Sequence, residues 1–389
     1  MSIMNLDQTY VAGTYKRFPL EIVSGSGSVV RDSAGREYID MGAGIAVTSF
    51  GIADPEWIAA VEKQIHSVQH MSNLYYTQPC AELAQVLCER SGMKKVFFAN
   101  SGAEANEGAI KAARKYAAEK HGEDCYTIVT LSNSFHGRTI TTLSATGQEH
   151  YHEMFHPLTE GFRYISANNI YEFIALISKV KVAAVMIECI QGEGGVVTLD
   201  KEFVKELREI TAQKDILLIV DEVQTGNGRT GQLYSYMNYD IVPDIVTTAK
   251  GLAGGLPIGA VLLGEKVQDV FGFGDHGSTF GGNPVCCSAA LSVINRIDDS
   301  LLKSINEKSQ YIINELSSVD GVEEITGMGL MLGIKTSKDA KEVVKTCMDN
   351  GVLCLTAKDK VRLLPALNIE TEQLKKAVSI IKDACKSEE

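Results

Sequence analysis

The chain alternates short, strongly apolar runs with longer stretches in which apolar residues recur every three or four positions. The short runs lie at 96–98, 126–131, 182–187, 216–220, 245–248 and 258–263. Several have apolar neighbours on both sides, as strands covered on both faces must. Stretches 103–120 and 201–214, which separate them, carry the helical period. The alternation predicts an α/β fold on a mostly parallel sheet. From about Pro284 the texture changes to amphipathic helices at 285–297, 301–318, 339–350 and 371–386, broken by short strands near 328–334 and 352–355. This reads as a separate, smaller α+β domain. No repeat, low-complexity tract or Pro/Ser-rich linker divides the chain.

Composition narrows the picture. At 389 residues the chain exceeds what one compact core usually holds, and 45% hydrophobic with 22% charged residues is ordinary globular composition. The net charge is −12 and no basic stripe interleaves with aromatics, which argues against nucleic-acid or anionic-membrane partners. No apolar run approaches membrane-spanning length and the opening lacks a signal-like core, so the expected location is the cytoplasm. Nine cysteines without a Cys-x-x-Cys pair read as small buried hydrophobes, and no metal centre is expected.

The candidate chemistry centres on two residues. Asp221 follows five apolar residues at what must be the end of a buried strand, and a carboxylate there needs a cationic partner. Lys250 follows a second β-branched run and precedes a glycine-rich loop. An acid for a pyridinium nitrogen and an amine for an aldehyde are what pyridoxal phosphate asks of a protein. Gln224 is placed to donate to the cofactor's phenolic oxygen. Asn100-Ser101-Gly102-Ala103 follows a strand and opens a helix, giving an anion cradle, although an ordinary Ser101 N-cap has the same pattern. In SFHGRT, Phe135 can stack on a ring and Arg138 can bind a carboxylate, while a core phenylalanine and a solvated arginine remain the alternative. Arg362 is a charge within an apolar run, and Glu193 can be its partner, either as a plain ion pair or as part of a site. The hydroxyls in HGSTFGGNP suit a phosphate or carboxylate.

Three other patterns are discounted. A Walker-B reading of Asp221 lacks its phosphate loop. HExxH at 152–156 is followed by Pro157, which disfavours the helix a zinc site requires. GxGxxG at 272–277 neither follows a convincing strand nor opens a helix promptly.

Taken together, NSGAEANEGAIKAARKY, SFHGRT, IQGEGGV, DEVQTGNGRTG, TTAKGLAGGLPIGA, DHGSTFGGNPV and VRLLPAL resemble, in order and spacing, the class III (ornithine-type) aminotransferases of pyridoxal-phosphate fold type I. The resemblance covers nearly the whole chain. It implies a large cofactor domain over 46–284 with a sheet of the seven-stranded type, a small domain over 285–389, and a segment 1–45 packing on the small domain. It makes Lys250 the lysine that carries the cofactor and moves the proton, and Asp221 the pyridinium partner. Ser101, Gly102, Ala103, Phe135, Glu222, Val223 and Gln224 complete the cofactor site, joined by Thr279 from the other subunit of a homodimer. Arg138 and Ser278 would hold the amino donor, Arg362 the α-carboxylate of glutamate, and Glu193 would gate Arg362.

The implied activity is ping-pong transamination. YIDMGAGIAV, HMSNLYYTQP and DHGSTFGGNPV look most like the members acting on an N-acetylated diamino acid, with ornithine, 4-aminobutyrate and succinyldiaminopimelate open as other donors. An aminomutase or a non-catalytic binder on the same scaffold are the remaining readings. The chain departs from the family pattern at Ile52, Cys189 and Ala366, which touches substrate choice more than reaction type.

Overall fold

The computed structural model describes residues 2–387. Seven strands form the central sheet in the order Lys95–Ala99, Gly259–Leu263, Ile245–Thr248, Leu217–Asp221, Val182–Ile187, Thr127–Leu131, Phe162–Ile165. All share one direction except Gly259–Leu263, which is antiparallel to both neighbours. The mostly parallel α/β sheet expected from the hydrophobic pattern is therefore present. Its five inner strands are buried at every position, which is why they read as continuous apolar runs. The edge strand Phe162–Ile165 exposes Arg163 and Tyr164 and left no such signature.

The topology brings the chemistry to one edge. Leu217–Asp221 and Ile245–Thr248 are parallel neighbours with Asp221 opposite Thr247, so Asp221 and the segment leading to Lys250 emerge side by side. The helix Gly102–His121 starts just beyond Lys95–Ala99, at the same end of the sheet. Open parallel sheets bind ligands outside the carboxyl ends of their strands.

A second core joins Ile39 and Met41 to residues between Ile305 and Cys385. It carries the antiparallel sheet Val322–Met328, Met331–Thr336, Lys360–Leu363, Leu355–Ala357. The N-terminal strands Ile22–Ser26, Val29–Asp32 and Glu37–Asp40 form another sheet that Val352–Leu353 completes. The helix expected at 285–297 spans Pro284–Ile294 and buries Cys287, Ala290 and Val293 in the large core. The large core extends to Ile297, and the second core takes up the chain again at Ile305. The break in texture at Pro284 marks a chain turning onto its own large domain. Among the described residues, no helix is long and apolar enough to cross a membrane.

Candidate active site

A cavity of about 580 Å³ opens at the carboxyl edge of the sheet. Lys250, Asp221, Gln224 and Val223 line it together with Ser101, Gly102, Ala103, Phe135 and Arg138. The structure therefore brings together residues spread over half the chain.

Lys250 is held by its backbone. It adopts φ 41°, a region that costs a non-glycine residue about 1–3 kcal/mol and persists only when neighbours enforce it. Asn227 Nδ2 donates to Thr248 Oγ1 at 3.0 Å and to the Ala249 carbonyl at 3.2 Å, and Ser49 Oγ donates to the Gly251 carbonyl at 2.9 Å. Both flanks of Lys250 are thus pinned, which aims its side chain into the cavity. Burial lowers the amine below the ordinary lysine value; Glu193 opposes the shift and Arg362 adds to it. A larger fraction of free amine, the nucleophilic form, results.

Asp221 is 3% exposed. The cationic partner expected from sequence is neither lysine nor arginine. His136 Nδ1 donates to Asp221 Oδ2 at 2.8 Å, Asn106 Nδ2 donates to the same oxygen at 2.8 Å, and the Val223 N–H donates to Oδ1 at 3.0 Å. Thr247 Oγ1 in turn donates to Asn106 Oδ1 at 2.7 Å and fixes the amide. Burial alone would lower His136, yet the bond to Asp221 and the charge of Glu188 outweigh it and raise the imidazole above its usual value. Glu188 lines the same cavity, accepts from the Phe135 N–H at 2.9 Å, and is pushed up to about 7 by burial despite the opposing charge of His136.

The cradle follows from helix geometry. The first N–H groups of a helix have no intrahelical acceptor. Ser101 Oγ takes that of Glu104 at 3.1 Å, leaving those of Gly102 and Ala103 for an anion beside the positive end of the dipole. A Cβ at Gly102 would lie 2.6 Å from Val223 Cγ1, so any larger residue would have to displace the Val223 side chain.

Arg362, on Lys360–Leu363, is 3% exposed, and its NH1 donates to Glu193 Oε1 at 2.6 Å and to Gln224 Oε1 at 3.1 Å. Gln224 Nε2 closes the ring on Glu193 Oε1 at 3.2 Å. Burial would raise Glu193, but Arg362 prevails and holds it below the usual carboxylate range. Arg362 Nε is buried without a partner, so the guanidinium keeps one donor unspent. A buried acid for a ring nitrogen, a free amine beside it, a flat wall at Phe135 and a main-chain anion cradle together fit pyridoxal phosphate.

The aminotransferase class-III family model matches residues 10–385. The chain is a class-III aminotransferase. It is 49% identical to the acetylornithine aminotransferase of Haemophilus ducreyi, covering 97% of each chain. It is 45% identical to that of Caldanaerobacter subterraneus, covering 98% of each. Among solved structures, the ornithine aminotransferase of Toxoplasma gondii ME49 superimposes with TM-score 0.93 at 32% identity, covering 98% of this chain and 93% of that one. The N-acetylornithine aminotransferase of Stenotrophomonas maltophilia gives 0.86 at 35% identity over 98% of both.

Within this class-III aminotransferase Ser278, Thr279 and Glu222 do not line the cavity. Ser278 Oγ is engaged by Asn100 Nδ2 at 3.1 Å and by the Gly281 N–H at 2.9 Å. Thr279 is exposed and does not line the cavity. Arg138 is exposed at the mouth, its guanidinium 4.1 Å from the Tyr151 ring centroid and 5.3 Å from that of Phe135. The Glu222 carboxylate turns away from the cavity. Its carboxylate accepts from Thr225 Oγ1 and Ser235 Oγ, each at 2.6 Å, and from the Tyr236 N–H at 3.0 Å, facing the core. Successive residues leaving a strand point to opposite sides, so Asp221 facing the cavity turns Glu222 away.

Asn106, His136, Glu188 and Tyr15 line the cavity and were not singled out from sequence. His136 and Glu188 stand inside the quoted motifs' reach, and a buried acid at a strand end was a usable signal for Glu188. His152 Nε2 lies 2.9 Å from the Leu143 carbonyl and 2.8 Å from that of Thr146, and residues 152–156 do not form the helix that HExxH would need.

Proposed function

We propose that the chain is an acetylornithine aminotransferase that uses pyridoxal phosphate to exchange an amino group between N-acetylornithine and 2-oxoglutarate, acting as a cytoplasmic homodimer. The observation that carries this reading is the pair of arginines in different states. Arg362 is buried and closed by Glu193 at 2.6 Å, whereas Arg138 stands open at the cavity mouth. A donor that reacts through its ω-amine keeps its carboxylate several bonds from the reacting carbon and meets the outer arginine. Glutamate reacts through its α-amine, so its α-carboxylate lies close to the reacting carbon and needs the inner one. One site then serves both substrates if Glu193 masks Arg362 for the first and yields it to the second.

Lys250, Asp221, Phe135 and Gln224 would hold the ring, with Gly102 and Ala103 on the phosphate, and the bound cofactor would supply an electron sink for the electrons of a broken C–H bond. Lys250 Nζ would carry the cofactor and serve as the general base and then acid that moves the substrate proton. Asp221 would favour the protonated ring nitrogen, since a carboxylate beside that nitrogen stabilises its charged form. The placement of Ser278 and Thr279 outside their own cavity supports their service to a second subunit.

The test is a half-reaction panel in which loss of cofactor absorbance is followed with N-acetylornithine, ornithine, 4-aminobutyrate and succinyldiaminopimelate. N-acetylornithine is expected to lead in kcat/KM by roughly tenfold or more, the discrimination one or two well-made contacts supply. A preference for 4-aminobutyrate would overturn the donor assignment and leave the reaction class standing.

A further inference from the structure

The strained backbone at Lys250 is held from two directions, and both lines of hydrogen bonds end on one short piece of the small domain. Asn227 bonds to Thr248 and to the Ala249 carbonyl before Lys250, and Ser49 bonds to the Gly251 carbonyl after it. Ser49 is itself anchored by its own carbonyl, which accepts from the Leu367 N–H at 2.8 Å. Two residues beyond Asn227, the buried Arg229 donates through NH1 to the Pro365 carbonyl at 2.5 Å and to the Leu330 carbonyl at 3.0 Å. The Arg229 carbonyl accepts in return from the Leu330 N–H at 2.9 Å. A Cβ at Gly329 would lie 2.5 Å from that carbonyl oxygen, so the two segments meet backbone to backbone.

Pro365 is three residues and Leu367 five residues beyond Arg362, and all of them are buried. The bonds of Arg229 NH1 go to main-chain carbonyls, so the guanidinium reads where the backbone lies at 330 and 365. A buried donor left without its acceptor is costly, and the planar fork fits one arrangement of carbonyls only. A shift of the chain at 365 therefore pulls on Arg229 and on the turn that carries Asn227, which holds φ 57°. A shift at 367 pulls on Ser49. The strand that bears Arg362 is thus joined by two separate lines to the residues on either side of Lys250.

Resting on the assignment of Arg362 to a substrate carboxylate, we infer that Arg229 and Ser49 are positioning residues for Lys250, through which the segment 364–367 ties the set of the Lys250 backbone to the occupancy of Arg362. A carboxylate bound at Arg362 replaces the bond to Glu193 and gives the unspent Nε an acceptor. The strand Lys360–Leu363 and the residues that follow it are then held more firmly. Because Leu367 and Pro365 are bonded to Ser49 and Arg229, the added restraint reaches the flanks of Lys250. Residues that only packed the two domains together would loosen the whole protein when removed and would not single out Lys250.

The first measurement uses cofactor-free protein and glutarate, a dicarboxylate with no amine to react, with hydrogen exchange followed by mass spectrometry over 360–367 and 249–254. Saturating glutarate is expected to slow exchange by about threefold or more in both segments of the wild type. In the double variant Arg229→Lys, Ser49→Ala it is expected to slow only 360–367. Slowing at 360–367 with 249–254 unchanged in the wild type overturns the inference, as does slowing at 249–254 that survives in the double variant. Glutarate that alters neither segment sinks the carboxylate reading of Arg362 instead.

The second measurement is the attachment of pyridoxal phosphate, read as the visible absorbance that appears on mixing. Arg229→Lys keeps the charge but not the fork, and should lower the limiting rate about fivefold while the half-saturating concentration stays within about twofold, since the cradle at Gly102 and Ala103 is untouched. Losses in both parameters mark a plain packing role and overturn the inference. Combined with Asn227→Ala, the loss should be smaller than the product of the single losses, because Arg229 acts through Asn227, whereas Ser49→Ala should multiply with either. Fully multiplicative losses for Arg229 and Asn227 overturn it too. The glutarate effect on the wild type needs no variant, so a misfolded substitution leaves the inference open to refutation.

Discussion

Replacing Arg362 by alanine should separate the two half-reactions. The guanidinium makes two charge-assisted contacts in the closed site, to Glu193 at 2.6 Å and Gln224 at 3.1 Å, and its Nε is a third donor without a partner. A bound α-carboxylate taking two of these donors gains about 1.5–3 kcal/mol from each. Offset by the cost of displacing Glu193, the net loss on truncation is about 3–4 kcal/mol, or roughly 100- to 1000-fold in kcat/KM for glutamate. The N-acetylornithine half-reaction loses only the contacts to Gln224 and to Glu193, whose side chain is 26% exposed and accessible to water. That loss should stay within about tenfold. Single-turnover absorbance changes, measured separately with each amino donor, give both numbers. Equal losses would refute the assignment of Arg362 to the α-carboxylate, whatever their size.

Other outcomes follow from the same geometry. Gly102→Ala places a methyl group 2.6 Å from Val223 Cγ1, and relieving that overlap at about 1–3 kcal/mol should weaken pyridoxal phosphate retention roughly 10- to 100-fold, read by equilibrium dialysis; unchanged retention would place the phosphate elsewhere. Glu188 carries a pH signature: its folded value, about 7, lies above the ordinary 4.5, so the folded state holds a proton the unfolded chain has lost between those values. Stability should therefore fall as pH rises across that window and level off above it, and Glu188→Gln should flatten the slope of Tm between pH 5 and 8; parallel slopes would contradict the buried-acid reading. Asn227→Ala removes the bonds to Thr248 and Ala249 that pin the strained Lys250, and should slow cofactor attachment by roughly tenfold or more while leaving the far-ultraviolet circular dichroism unchanged.

The parts of this molecule written in local pattern were legible from sequence. The inner strands of the sheet betray themselves because covering both faces demands unbroken apolar runs, and Asp221 and Lys250 stand at the ends of two such runs. Phe162–Ile165 and the N-terminal strands escaped because edge and half-exposed strands carry polar residues that blur the pattern. The helix Pro284–Ile294 packs in the large core, which its sequence does not disclose, since an apolar face says that a helix is buried but not against what. The same limit hid the partners of Asp221. Asn106 and His136 lie 115 and 85 positions away, and nothing in their neighbourhoods distinguishes them from a core amide and a loop histidine. Glu222 faces the core, because adjacency to Asp221 in the chain is opposition in the strand.

The central claim is that pyridoxal phosphate attaches at Lys250 with its ring nitrogen on Asp221. Borohydride reduction of the cofactor-loaded protein followed by peptide mass mapping reads this directly. A single phosphopyridoxyl mass addition on the peptide containing Lys250, absent in Lys250→Ala, is the result expected. Labelling at another lysine, or none in protein that has turned over its amino donor, would contradict the account.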